Sequence, residues 1–181
     1  MIRCIIVVLF VWFGLGLVGS PRTSAQDSAA MAKRTYDGAI RITNRVKNGV
    51  TGEGWCWHAA YNIRQFTAGY RAYGDTAWLD YGVKYYDAMV GLMRTGPDGY
   101  KGWIGPYIYD KSVWCDVHIG DAILFNGMLD FAVLVHETPA LHDKYGAKAK
   151  EYVYLARKHL IEKWDQRGTW YEDGPFGGYH S

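Results

Sequence analysis

The chain has 181 residues, 49% of them hydrophobic and 16% aromatic, a composition that supports a packed core and excludes a disordered chain. Its 20 Lys and Arg stand against 18 Asp and Glu, so nothing in the net charge points to a nucleic-acid partner.

The chain opens with a basic Met1-Ile2-Arg3, an apolar run from Cys4 to Val18 and the small residues Thr23-Ser24-Ala25. This order is that of a secretory signal over residues 1–25, with the working domain at 26–181. The run is shorter than the roughly 20 residues a spanning helix needs, so a secreted or periplasmic protein with no stable membrane span is expected after signal removal. Arg3 and Arg22 lie in this segment and no acid does, which leaves the remainder close to neutral.

A first helix is expected over 28–47, followed by a loop marked by Gly49, Gly52 and Gly54. The segment from about Trp57 to Tyr73 reads as a helix ended by Gly74-Asp75, whose Asp is placed to cap the next one. From Ala77 to Met93, residues Trp78, Tyr81, Tyr85, Met89 and Leu92 recur at helical spacing and predict one buried face. Residues 100–115 are rich in Tyr, Trp, Gly and Pro and predict a long ordered loop with room for a short strand pair. From Asp116 to Val135 the chain is apolar almost all round, the pattern of a helix enclosed by others. The last helix, Lys144 to Trp164, places Tyr145, Ala149, Tyr152, Val153, Ala156, Leu160 and Ile161 on a buried face. Lys148, Lys150, Arg157, Lys158 and Lys163 are expected on the solvent side.

Sliding the first of these units by 59 residues pairs Trp55 with Trp114, Cys56 with Cys115, Phe66 with Phe125, Asn62 with Asp121, Thr67 with Asn126 and Arg71 with Asp130. Two helical hairpins of one plan are therefore expected side by side. Cys56 and Cys115 are the two cysteines outside the signal; at equivalent places in an exported protein they allow a disulfide, with two buried free thiols the equal alternative.

An enclosed helix, a Gly-Asp turn, an aromatic-faced helix and a Trp/Tyr/Gly-rich loop, repeated over roughly residues 50–180, resemble the six-hairpin glycosidase superfamily. The resemblance implies an all-α fold of stacked hairpins forming part of an (α/α) toroid. It further implies glycoside hydrolase or polysaccharide lyase activity on an oligo- or polysaccharide. The chain offers fewer helices than a closed ring of this kind, so it is expected to be part of a longer protein or an incomplete ring.

Chemistry is expected where the helices of the two units begin. Asp116 reads either as a helix N-cap or as a general acid, and Asp121 as a first-turn acid or its partner. Hydrolysis needs a second carboxylate, for which Glu53, Glu172 and Asp173 are candidates, and is favoured here over elimination. Elimination would use His58 or Tyr61 as base and Asn62 to neutralise a uronate; His58 and Asn62 are one turn apart. His118 and Asp121 alone make a weak metal pair, so no metal and no cofactor are expected. Trp55, Trp57, Trp103, Tyr107, Trp114, Trp170 and Tyr179 are candidate sugar-stacking residues, because an indole face packs on the C–H face of a pyranose. The other function compatible with the pattern is a non-catalytic helical repeat that binds a glycan or protein partner.

Overall fold

The computed structural model describes residues 25–179; the expected signal segment falls almost wholly outside them. The chain is mostly helical, as the periodicities predict. The helices are α1 (Ala25–Thr43), α2 (Glu53–Ile63), α3 (Gln65–Tyr73), α4 (Ala77–Val90), α5 (His118–Glu137), α6 (His142–Ala156) and α7 (Lys163–Gln166), with a π-helical stretch, Arg157–Glu162, joining α6 to α7. Six short strands form three antiparallel pairs: β1 (Arg94–Thr95) with β2 (Lys101–Gly102), β3 (Gly105–Pro106) with β4 (Trp114–Cys115), and β5 (Trp170–Asp173) with β6 (Phe176–Tyr179).

Local chemistry explains most boundaries. Gly74 sits at φ 68° and its N–H donates to Tyr70 O, ending α3, while the Asp75 carboxylate accepts the Ala77 N–H at 2.9 Å and starts α4. The single helix expected over 57–73 begins four residues earlier and breaks at Arg64, whose carbonyl accepts the Thr67 hydroxyl at 3.1 Å. The loop before α5 holds two strand pairs. The glycine-rich segment from Asp173 to Tyr179, which reads as the loop ending the second unit, instead forms with residues 170–172 a hairpin closed by Gly174-Pro175, with Gly174 at φ 58°.

The helices pack as two neighbouring hairpins, α2/α3 with α4 and α5 with α6, and α1 lies against α4. The equivalent positions of the repeat meet across the seam. Arg71 and Asp130, 59 residues apart, form a two-pronged pair at 3.0 and 2.8 Å; Thr67 also donates to Asp130, and Arg64 to Asn126. Close approach of α2 and α5 depends on Gly127, where a Cβ would stand 2.5 Å from the Ile63 side chain. The core centres on Tyr86, which packs edge-on against Phe66, Phe131 and Tyr152 at 5.7–6.1 Å and donates its hydroxyl to Ile63 O at 3.0 Å. Trp78 reaches α1, donating its indole N–H to Ser28 Oγ at 3.0 Å. The helix α5 packs against α2, α3 and α6 but is not enclosed as its all-round apolar sequence predicts: half of its residues are buried, while Val133 and Ile119 are exposed.

All three strand pairs gather where α2 and α5 begin and where α4 and α7 end. Gly52 donates to Trp103 O, and the Trp103 indole donates to Met89 O at 2.8 Å, so the 94–115 loop is pinned to both helix ends.

Candidate functional site

Two features stand out, one at the end of the molecule that holds the starts of α2 and α5 and the other running along these helices. The first is a buried charge cluster built from the loop, the start of α5 and the last helical turn. Lys163 is wholly buried; its ammonium sits 3.0 and 3.1 Å from the two oxygens of Asp116 and pairs with Asp121, while donating to Lys101 O at 3.1 Å. Asp121 is 1% exposed and accepts the Trp164 indole N–H at 3.1 Å. Arg167 bridges Asp98 at 2.8 Å and Asp116 at 3.0 Å. Burial drives the Asp121 carboxyl up to about 6, against the attraction of Lys163 and with the repulsion of Asp116. Gly102 lets the loop lie over this cluster, since a Cβ there would come within 2.5 Å of Asp116 Oδ1 and 2.7 Å of Lys163 Nζ.

Both readings of Asp116 change in this light. The N-cap position of α5 is Val117, with no side-chain cap, so Asp116 does not cap the helix. Nor is it a free acid: two cations hold it, and 12% of its side chain remains exposed. Lys163 was expected on the solvent side of the last helix and instead anchors the cluster. Ile161 and Val153, expected in the core, are exposed.

His118 stands beside the cluster, stacked on Tyr179 at 4.5 Å and edge-on to Trp164 at 5.4 Å, while Trp170 packs edge-on to Tyr179 at 4.9 Å. Burial and the Lys163 charge lower the His118 pKa. His118 and Asp121 thus meet on one shared neighbour, Trp164, the first through an edge-on ring contact and the second through the indole N–H. Glu172 and Asp173 lie on the exposed β5–β6 hairpin, and Glu53 accepts the Trp57 indole N–H at 3.4 Å.

The second feature is a trough between α2/α3 and α5. Its upper part, about 430 Å³, is lined by Trp57, Tyr61, Arg64, Ile123 and Asn126. A lower part of about 350 Å³ shares Arg64 and Asn126 and continues to Arg71 and Asp130. Trp57 and Tyr61 are exposed and one helical turn apart, so they stand on one face of α2. The trough therefore offers aromatic walls, a guanidinium and an amide in its upper part, with the Arg71–Asp130 pair at its lower end.

The remaining expected residues separate. Trp55 and Trp103 stack on each other at 6.5 Å and belong to the core, with Trp103 only 3% exposed. Trp114 is half exposed under the Arg94 guanidinium, and Tyr107 packs on exposed Tyr109. His58 and Asn62 both lie on α2, yet the Asn62 amide donates to the His58 carbonyl, not its ring, and His58 faces a hollow with Val50, Trp55 and Lys111. Cys56 and Cys115 are both free thiols, so the bridge is not formed; burial raises the pKa of each. Lys163, Trp164 and Arg167 were not foreseen as site residues. Their only signal in the sequence is phase: Lys163 falls about five helical turns after buried Tyr145.

Comparison of the chain with protein families, curated proteins and solved structures finds no match.

Proposed function

We propose that this is an exported carbohydrate-active protein, built as part of an (α/α) toroid, that holds an oligo- or polysaccharide in the trough between α2 and α5. The observation that carries the reading is the pairing of Trp57 and Tyr61 along one wall with Arg64 and Asn126 on the floor. Aromatic faces suit the C–H faces of a sugar ring, and a guanidinium with an amide suits hydroxyls or a uronate carboxylate. Trp114 and Trp170, both half exposed near the loop end, extend the surface available to a longer chain.

Glycosidic cleavage is the second reading, and Asp116 favours it by keeping an accessible edge close to His118 in sequence and at the same end of the fold. Against it stands the neutralisation of both carboxylates by Lys163 and Arg167. A general acid must present its proton to the glycosidic oxygen, which Asp121, at 1% exposure, does not do without movement.

The test is incubation with a panel of neutral and uronate-containing polysaccharides, reading gel retardation, new reducing ends and the absorbance of unsaturated uronates. Retardation without new ends is expected for binding alone, reducing ends alone mean hydrolysis, and both chemical signals together mean elimination. No retardation and no product across the panel contradicts the carbohydrate reading.

A further inference from the structure

The α5–α6 hairpin has a second flank, turned away from α2/α3 and α4. A groove of about 560 Å³ runs along it, floored by Ala132, Val135 and Ala149, walled by Val153, and edged by Lys150 and Arg157. Val153 is 47% exposed and Tyr154 63%, which is unusual for apolar residues lying along a core hairpin.

The opposite flank of α6 shows what kind of surface such a pattern accepts. There α4 docks through acids seven residues apart: Asp80 meets Lys144 and Tyr145, and Asp87 meets Lys148 and Tyr152, all at 2.7–2.9 Å. Lys150 and Arg157 repeat that seven-residue spacing, two turns apart on one stripe. Among the described residues neither enters an ion pair, whereas Lys144, Lys148 and Lys158 all do. The groove also carries His136 and His142, so apart from the Tyr154 phenol every ionisable group lining it is basic. A second copy presenting the same flank would bring like charges together.

We propose that this groove docks an amphipathic α-helix of another polypeptide, one with an apolar stripe of Ala- to Leu-sized residues and acids seven positions apart along its edge. The helix repeats on the far side of α6 the way α4 lies on the near side. The trough for saccharide lies on the other side of α5, so the two surfaces are separable.

The experiment uses two synthetic labelled peptides with the same Leu/Ala stripe, one carrying Glu at two edge positions seven apart and the other Lys. Binding to the full chain is read by fluorescence anisotropy. The Glu peptide is expected to bind on the order of tenfold more tightly than the Lys peptide, as two rim ion pairs allow. The double variant K150E/R157E, both positions being exposed, is expected to reverse that preference. Absence of binding, equal affinity for the two peptides, or a preference unchanged in K150E/R157E overturns the proposal. Self-association seen by sedimentation and abolished in V153D also overturns it, because the groove would then belong to a second copy.

Discussion

The dipeptide Trp-Cys occurs at residues 55–56 and again at 114–115, and the two copies fold differently. Trp55-Cys56 lies in the first turns of α2 and is buried; Trp114-Cys115 is strand β4, paired with Gly105-Pro106, with Trp114 half exposed. The helices that follow agree much better, since Phe66 and Phe125 are both fully buried and Arg71 pairs with its own equivalent, Asp130. Equivalence of sequence therefore holds where helices pack on helices and lapses where a loop decides the partner. The lapse is what opens room for the charge cluster: Asn62 bonds only within α2, while its equivalent Asp121 is buried against Lys163 and Trp164.

The largest effect should come from that asymmetry. Lys163→Ala strands the Asp121 carboxylate away from water and leaves Asp116 to Arg167 alone, and is expected to cost about 3–5 kcal/mol in denaturant unfolding. A loss below about 1 kcal/mol would mean that the cluster is open to solvent. The two Trp-Cys copies supply the next contrast: Trp55→Ala should cost about 3–5 kcal/mol as a core truncation, and Trp114→Ala under about 1 kcal/mol, since only a surface contact with Arg94 is lost. Equal costs would break the comparison.

Asp121 predicts a pH signature. Its folded pKa, raised from the ordinary 3.8 to about 6, means that the folded state holds its proton longer than the unfolded state. Stability contributed by the protonated form is present below about pH 4 and is lost as pH rises towards 6, on the order of 3 kcal/mol across the window. Unfolding of wild type and Asp121→Asn at pH 4, 5, 6 and 7 isolates this, because carboxylates with lowered pKa, such as Asp80 and Asp130, contribute equally to both proteins and with the opposite sign. Parallel curves would contradict the assignment. The smallest effect belongs to the first copy: Asn62→Ala should stay within about 0.5 kcal/mol of wild type.

How far the sequence could be read follows the same division. The α4 face of Trp78, Tyr85 and Met89, the Gly74-Asp75 punctuation and the existence of α5 as one long helix were legible because they depend on local periodicity and capping chemistry, whereas the enclosure of α5 was not, since it depends on which neighbours cover each face. The 59-residue offset aligned Arg71 with Asp130, but their ion pair was legible only once the two hairpins were seen side by side. Lys163 was not legible: its helical phase puts it with Tyr145 and Tyr152, but its residue type argues for solvent, and only the distant Asp116 and Asp121 reverse that preference. The β5–β6 hairpin hid among glycines that read as loop, although Gly174 at the first position of a two-residue turn is a hairpin signal between aromatic runs. Of the candidate sugar-stacking residues, Trp57 lies in the trough because it sits on the exposed face of α2, and Trp103 in the core because its loop turns it towards Met89.

The saccharide trough is tested most directly by affinity electrophoresis through gels containing the polysaccharide that retards the wild type most. The double variant W57A/Y61A, altered at two exposed positions, should migrate as it does in a sugar-free gel, while V153D, on the far flank of the α5–α6 hairpin, should be retarded like wild type. Undiminished retardation of W57A/Y61A would contradict the account.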